Sequence, residues 1–180
     1  MIICLTSLAR AGKDTFADYL VNSYGFVKLN LSDVLKERLL EKGMEPTKEN
    51  MSLLGDQWRR KFGMDIVMRK TLEKAKAFPN VVITGLRSVE EVKYFNSSPE
   101  KVVLIAITAD ARVRFERKNQ DDEQSWQDFF NRDNRDIKNK GLDKVLNMAD
   151  YTLENNFSSK EQFYHAIDKV MAKLNFKKLY

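Results

Sequence analysis

The sequence predicts an α/β fold, in which a parallel sheet is covered by helices on both faces. Short apolar segments typical of strands alternate along the chain with amphipathic segments of helical spacing. The most apolar run, residues 101–108 (KVVLIAIT), lacks polar alternation and is typical of a strand buried on both faces. No repeat or linker interrupts the pattern, so we expect a single domain over residues 1–180.

The first strand and helix enclose a candidate phosphate-binding loop. An apolar run at residues 2–5 is followed by a loop, by Gly-Lys-Asp-Thr at 12–15 and by an amphipathic helix at about 14–23. This is the order of a P-loop, whose amides and helix N-terminus form a positively polarised cradle for phosphate oxygens. Gly12 would let the backbone approach the ligand, and Lys13 would reach the β- and γ-phosphates. The expected ATP contacts here are Ala9, Arg10, Ala11, Gly12, Lys13, Asp14 and Thr15.

Two positions depart from the full P-loop pattern. Ser7 stands where the pattern has its first glycine, and Asp14 rather than a hydroxyl residue follows the lysine. Thr15 comes one place later and is the candidate Mg²⁺ ligand, with Asp14 or Asp33 as candidates acting through water. The alternative interpretation of the segment is a surface turn that caps the first helix, with Asp14 interacting with the helix dipole.

The later elements continue the alternation of strands and helices. We expect a strand at 26–30, a helix that begins at Ser32-Asp33 and ends at Gly43, and helices at about 47–62 and 66–77. A strand at 81–84 is then followed by a helix that a capping box opens at 88–91. After the strand at 101–108 come a charged stretch at 109–141, a last strand within 149–156 and a final helix at about 158–174.

The residues that follow each strand are expected to converge, because ligands of parallel sheets bind beyond the carboxyl ends of the strands. Asp33 is placed to orient an acceptor or a metal-bound water, although a helix-capping role is equally consistent with its position. Arg38, Arg59 and Arg87 could hold an anionic acceptor, because arginine suits bidentate phosphate contacts. A solvated helix position is the alternative for each, and for Arg59 it is the better supported one.

The charged stretch at 109–141 is interpreted as a mobile lid. Arg114 and Arg117 lie three residues apart, and Arg132 and Arg135 repeat that spacing. Closure over a triphosphate would exclude water and bring guanidinium groups to the transferring phosphoryl group. The alternative is a charged helical hairpin held by surface ion pairs. The residues expected to act in catalysis are Lys13, Asp33, Arg87, Arg114 and Arg117.

Composition excludes several classes of function. No apolar run approaches the ~20 residues that span a bilayer. The single cysteine, Cys4, and the single histidine, His165, leave no material for a disulfide, a zinc site of His and Cys ligands or a Ser-His-Asp triad. We expect a cytoplasmic protein, as monomer or homodimer, without a membrane partner. The net charge of +5 suits anionic ligands, but the bases are mixed with acids, which favours a small phosphorylated acceptor over nucleic acid.

Several motifs occur in an order that resembles a known superfamily. The motifs in the first half of the chain are Ala-Gly-Lys-Asp-Thr (11–15), Ser-Asp-Val-Leu-Lys (32–36), Gly-Asp-x-x-Arg-x-x-x-Gly (55–63) and Gly-Leu-Arg-Ser-Val-Glu-Glu-Val (85–92). Those in the second half are Arg-Phe-Glu-Arg (114–117), Phe-x-x-Arg-Asp (129–133) and Ala-Asp-Tyr-x-Leu-x-Asn (149–155). In these motifs the chain is similar to adenylate-kinase-related, dephospho-CoA-kinase-like and deoxynucleoside monophosphate P-loop kinases. The resemblance covers nearly the whole chain.

The resemblance implies a three-layer fold with five parallel strands in the order 2-3-1-4-5 and a helical lid at about 110–141. It also implies ATP as donor, Mg²⁺ as cofactor and an acceptor-binding insertion at about 33–78. Asn155 and Asn156 match the family's loop that approaches the adenine.

Three nucleotide-binding functions remain as alternatives at the level of sequence, beside an RNA-binding or RNA-modifying role that the basic charge leaves open and the absence of a basic aromatic cluster disfavours. The first is ATP-dependent transfer to a nucleoside or deoxynucleoside monophosphate, and the second is transfer to the ribose hydroxyl of dephospho-CoA. The third is a nucleotide-binding regulatory protein with a degenerate site, which is consistent with Ser7 and with Thr84, where relatives carry a strand-end aspartate. A GTPase is not favoured, because the chain has no Asn-Lys-x-Asp motif.

Overall fold

The strands form one parallel sheet in the predicted order. The structure is a computed structural model that describes residues 1–86, 88–120, 122 and 124–179. Its strands are β1 (Ile2–Ser7), β2 (Val27–Asn30), β3 (Val81–Thr84), β4 (Val102–Thr108) and β5 (Tyr151–Glu154), and they are arranged β2-β3-β1-β4-β5. All four neighbouring pairs are parallel, so the predicted fold class and strand order are confirmed.

Helices connect the strands across the part of the chain that the structure describes. They are α1 (Lys13–Tyr24), α2 (Asp33–Glu41), α3 (Lys48–Phe62), α4 (Ile66–Ala75), α5 (Val89–Asn96), α6 (Ala111–Glu116), α7 (Trp126–Lys140), α8 (Leu142–Asn147) and α9 (Lys160–Lys173). The capping box predicted at the start of α5 is present, with Ser88 and Glu91 exchanging side-chain and backbone hydrogen bonds. None of the described helices is both long and apolar enough to cross a membrane.

Two apolar cores lie on opposite faces of the sheet. One packs α1 and α9 against residues such as Ile3 and Ile105, and the other packs α2, α3, α4, α5 and α8 against residues such as Cys4 and Leu104. β1, β3 and β4 are buried on both faces, which explains why their sequences show no polar alternation, whereas alternate residues of β5 are exposed. Burial, with the negative charge of Glu91, raises the pKa of the Cys4 thiol, so this side chain is a protonated core residue.

Some predicted boundaries differ from the observed ones. β1 continues through Thr6 and Ser7, which the sequence assigned to the loop, because these residues pair with Ala106 and Ile107 of β4. The helix expected at 66–77 ends at Ala75, and the final helix is Lys160–Lys173 rather than 158–174. The described residues of the expected lid form two helices, α6 and α7, and Gly141, with φ 63°, separates α7 from α8 at the end of the lid.

Candidate active site

A large cleft lies at the carboxyl ends of β1, β2 and β3. Its volume is about 1480 Å³, which exceeds the ~300–1000 Å³ typical of a pocket for a single small ligand. The loop after β1 lines one side, and residues of α3 line another. Side chains of α7 and of the segment after β5 complete the walls. The cleft therefore has room for two ligands side by side.

The loop between β1 and α1 has the backbone of a phosphate cradle. Gly12 immediately precedes α1 with φ 108°, and no side chain caps the helix start. The first amides of α1 are therefore available to an anion, and the helix dipole favours negative charge there. Arg10 also has a positive φ, 63°, which is uncommon for a residue with a Cβ. The predicted loop contacts at Ala9–Thr15 are thus placed at the cleft, with Ala11 buried beneath them.

Asn155 fixes the loop from below. Its amide nitrogen donates to the carbonyl of Ala11 at 2.7 Å, and its side chain is buried. A Cβ at Gly12 would lie 2.4 Å from the same nitrogen, so only glycine leaves room for this contact. The family resemblance implied that both Asn155 and Asn156 approach the adenine. The structure places Asn155 under the P-loop, whereas Asn156 accepts a hydrogen bond from the Asp110 amide outside the cleft lining.

Lys13 lines the cleft and is paired with its neighbour Asp14. Its ammonium lies 2.8 Å from an oxygen of Asp14, and the ammonium of Lys28 lies 3.7 Å from the same oxygen. Partial burial opposes ionisation of Asp14, but the two lysines outweigh it and hold the pKa of this carboxyl below its ordinary value. Asp14 is therefore a carboxylate at neutral pH, in direct contact with the cation expected to bind phosphate.

The donors beside Lys13 suit a metal that arrives with the nucleotide. The described residues contain no group of three or more His, Cys, Asp or Glu side chains that could hold an ion by themselves. Mg²⁺ is commonly held by one or two protein oxygens together with phosphates and water. Asp14 and Thr15, both lining the cleft at the start of α1, fit that donor set.

Two of the residues predicted to face the acceptor lie outside the cleft lining. The Asp33 carboxylate accepts from the Asn30 amide at 2.7 Å and from Lys36 at 3.2 Å, so it stabilises the turn into α2. Arg38 pairs with Glu41 on an exposed helix face. In both cases a local partner one turn away holds the side chain, and the acceptor roles of Asp33 and Arg38 stay predictions.

Arg59 is the predicted acceptor-binding residue on α3. Its side chain lines the cleft from α3 and approaches Asp56 at 3.6 Å. Arg87, predicted for both catalysis and acceptor binding, lies outside the described residues.

The lid arginines divide into two groups. Arg117, Arg132 and Arg135 line the cleft. Arg117 also donates to the carbonyls of Asn155 at 2.9 Å and Phe157 at 3.4 Å, and its burial lowers its pKa. Arg114 differs from the prediction, because it is buried behind the P-loop, does not line the cleft and is bound in a bidentate pair by Asp133.

Sequence reasoning missed three residues of the cleft wall on α3, namely Lys48, Met51 and Ser52. Thr47 accepts a hydrogen bond from Asn50 and caps this helix. The capping residue Thr47 indicates where this helix begins. Met51 and Arg59 are eight residues apart and share one helical face, and this spacing could have indicated that the face lines the cleft.

Comparison with known proteins gives the family and the fold. Residues 3–140 match a family model described as an AAA domain. A UPF0200 protein of Thermococcus kodakarensis is 33% identical over 187 aligned residues, covering 97% of this chain and 100% of the relative. A UPF0200 protein of Thermoplasma volcanium is 32% identical over 174 residues, covering 94% of this chain and 96% of the relative.

Among solved structures, the chain resembles shikimate kinases. The enzyme from Bacteroides thetaiotaomicron superimposes with a TM-score of 0.65 at 17% identity, covering 97% of this chain and 98% of that one. The enzyme from Aquifex aeolicus gives 0.57 at 18% identity, covering 97% and 96%. At this identity the likeness concerns the fold alone, and it agrees with the strand order described above. The chain belongs to the AAA-domain family of P-loop NTPases and, with its archaeal relatives, to the UPF0200 proteins.

Proposed function

We propose that the protein transfers a phosphoryl group from ATP to a small phosphorylated acceptor, a nucleoside or deoxynucleoside monophosphate. One observation carries this proposal: an uncapped helix N-terminus with Lys13 opens onto a cleft of about 1480 Å³, which is larger than the ~300–1000 Å³ of a typical single-ligand pocket. A purely nucleotide-binding protein has no need of the remaining space. A phosphotransferase must hold donor and acceptor together, with the reacting atoms aligned.

On the donor side, each residue has a defined task. The amides at the start of α1 bind phosphate oxygens, and Lys13 neutralises charge on the transferring group. Asp14 and Thr15 would hold Mg²⁺, which when bound neutralises charge on the phosphates. Arg117, Arg132 and Arg135 line the same cleft and add positive charge from the lid side. Water exclusion by the lid would strengthen all these electrostatic interactions.

On the acceptor side, α3 offers both charge and apolar surface. Lys48 and Arg59 line the cleft from this helix and could bind an anionic group of the acceptor. Leu35, Met51 and Val67 line the same region and offer an apolar surface to a base. A monophosphate with a planar, partly apolar base has the corresponding chemistry.

The Asp14 carboxylate should make nucleotide binding depend strongly on Mg²⁺. Without Mg²⁺, the negative charge of Asp14 beside Lys13 repels the phosphates of ATP. With Mg²⁺, the same carboxylate would become a ligand of the metal. We expect Asp14→Ser to reduce the ratio of the ATP dissociation constants in EDTA and in Mg²⁺ by about tenfold. Calorimetric titration in the two buffers measures this ratio.

The matched control for Asp14→Ser is Asp18→Ser. Asp18 lies one turn further along α1 and also pairs with Lys28, at 2.8 Å, but it does not line the cleft. Its replacement should leave the ratio unchanged. An identical ratio for wild type and Asp14→Ser would remove Asp14 from metal binding.

Asp33→Asn separates the two acceptor classes. Asparagine keeps an oxygen that can accept from the Asn30 amide but removes the negative charge. Transfer to a phosphate oxygen needs no strong base, so we expect that activity to fall by less than about tenfold. Transfer to a ribose hydroxyl that used Asp33 as base would fall by about 10²–10⁴-fold. Steady-state rates with a nucleoside monophosphate and with dephospho-CoA make the comparison, and equal rates for mutant and wild type exclude Asp33 from both roles.

The proposed function is tested by a coupled assay that detects ADP. Nucleoside monophosphates, deoxynucleoside monophosphates, dephospho-CoA and shikimate are offered in turn with ATP and Mg²⁺. Turnover stimulated by a monophosphate supports the proposal, and stimulation by dephospho-CoA alone supports transfer to a hydroxyl. Stoichiometric ATP binding without turnover for every acceptor would contradict the proposal and favour a regulatory nucleotide-binding protein.

A further inference from the structure

We propose that Arg114, Phe129 and Asp133 form a brace that sets the conformation of the P-loop from behind and thereby controls its affinity for phosphates. These three residues do not line the cleft, so they are positioning residues and would not touch the nucleotide. The inference rests on the proposed nucleotide-binding role of the P-loop. It gives the lid a second task, separate from closing over the ligand.

Arg114 connects the lid to the backbone of the P-loop. Its guanidinium donates to the Ala9 carbonyl at 3.1 Å and to the Ala109 carbonyl at 3.0 Å. Two further hydrogen bonds, of 3.1 and 2.5 Å, join it to both carboxylate oxygens of Asp133. Arg114 and Asp133 are 3% and 5% exposed, so the pair is held in a fixed geometry away from solvent.

Phe129 connects the lid to a side chain of the P-loop. Its ring is fully buried, with the guanidinium carbon of Arg10 4.8 Å and that of Arg114 5.1 Å from the ring centroid. Arg10 is the residue with φ 63°, a conformation that costs about 1–2 kcal/mol for a residue with a Cβ. Glycine would adopt it without that cost, so the presence of arginine indicates that its side chain is needed to anchor the loop.

The direction of the loop carbonyls explains why such anchoring matters. In a trans peptide, the carbonyl of one residue and the N–H of the next point in opposite directions. Arg114 holds the Ala9 carbonyl, and Asn155 holds the Ala11 carbonyl. The amides of Arg10 and Gly12 are thereby directed away from these anchors. Amides oriented before the ligand arrives bind an anion without a cost of reorganisation.

The brace also links the loop to the far side of the lid. Phe129 and Asp133 lie on α7, the helix that presents Arg132 and Arg135 to the cleft. One rigid helix thus contacts the back of the P-loop and lines the ligand site. A displacement of α7 would change both together.

Arg114→Lys tests the brace. Lysine retains the charge opposite Asp133 but cannot make the bidentate pair and the Ala9 contact together. We expect the dissociation constant of MgATP to rise by about tenfold, whereas that of adenosine, which lacks phosphates, stays unchanged. Phe129→Leu should shift the two constants in the same way. Independently of any ligand, the amides of residues 9–13 should exchange hydrogen faster in both variants than in wild type.

The controls are neighbouring residues of the same types that lie at the surface. Arg112 lies on the same helix as Arg114 but pairs at the surface with Glu116, at 3.5 Å, and Phe130 follows Phe129 but is 46% exposed. Arg112→Lys and Phe130→Leu should leave both constants and the amide exchange unchanged.

The outcomes separate the brace from the proposed function. Unchanged MgATP affinity and unchanged loop exchange in a folded Arg114→Lys protein overturn the brace, and so does an equal loss of ATP and adenosine affinity, which would indicate general loosening. If the wild-type protein binds no ATP, both the proposed function and the brace's control of phosphate affinity are contradicted. Hydrogen exchange of the amides of residues 9–13 then decides whether the brace still orders the loop.

Discussion

Replacing Lys13 with alanine is expected to lower the rate of phosphoryl transfer by about 10³-fold or more. Lys13 is the first residue of α1 and lines the cleft, so its ammonium can neutralise the negative charge that develops on the phosphoryl group during transfer. The fold should remain intact, because Asp14 keeps Lys28 as an ion-pair partner and is itself largely exposed. The coupled assay gives the rate, and a thermal melt monitors stability.

Lys93→Ala serves as the control for Lys13→Ala. Lys93 is an exposed residue of α5 and does not line the cleft, so its loss should change neither the rate nor the melting temperature. Undiminished turnover in Lys13→Ala would mean that the phosphate cradle had been assigned to the wrong place. A much lower melting temperature would mean that Lys13 is needed for folding.

Gly12→Ala is expected to abolish ATP binding and to lower the free energy of unfolding by about 2–5 kcal/mol. A Cβ at this position would lie 2.4 Å from the amide nitrogen of Asn155 and 3.2 Å from the Phe163 ring, at a φ of 108°. The methyl group would displace Asn155 from the Ala11 carbonyl and change the direction of the amides that bind phosphate. Chemical denaturation measures the free energy, and titration with MgATP measures binding.

Gly43→Ala isolates the part of that effect due to backbone conformation. Gly43 also has a positive φ, 68°, but nothing lies within 4 Å of the Cβ that alanine would add. It should therefore lose only about 1–2 kcal/mol and retain ATP binding. Equal effects of the two substitutions would show that the contact between Gly12 and Asn155 has no special importance.

The fold was largely predictable because its signals are local. Residues 102–107 form an uninterrupted apolar run, and β4 occupies residues 102–108 inside the sheet, between β1 and β5. The Ser88–Glu91 pattern predicted the start of α5, where the same residues form the capping box. The end of β1 was not predictable in this way, since Thr6 and Ser7 are held by β4, a partner about a hundred residues away.

The site was predictable only in part, because a motif gives the position of a residue along the chain and not the direction of its side chain. Arg114 and Arg117 are both arginines, lie three residues apart and were both predicted to act in catalysis. Their roles differ because Asp133, on another helix, binds Arg114 and holds it behind the loop. Asp33 likewise follows a strand as expected, but the nearby Asn30 amide and Lys36 take its carboxylate.

The central claim is that the loop from Ala9 to Gly12, with Lys13 at the start of α1, holds a triphosphate. Titration of the wild-type protein with a non-hydrolysable ATP analogue and Mg²⁺, followed by backbone amide NMR, tests it most directly. Saturable binding with the largest shifts at residues 9–15 is the predicted result. Absence of saturation at millimolar analogue, or shifts centred on another part of the chain, would contradict it.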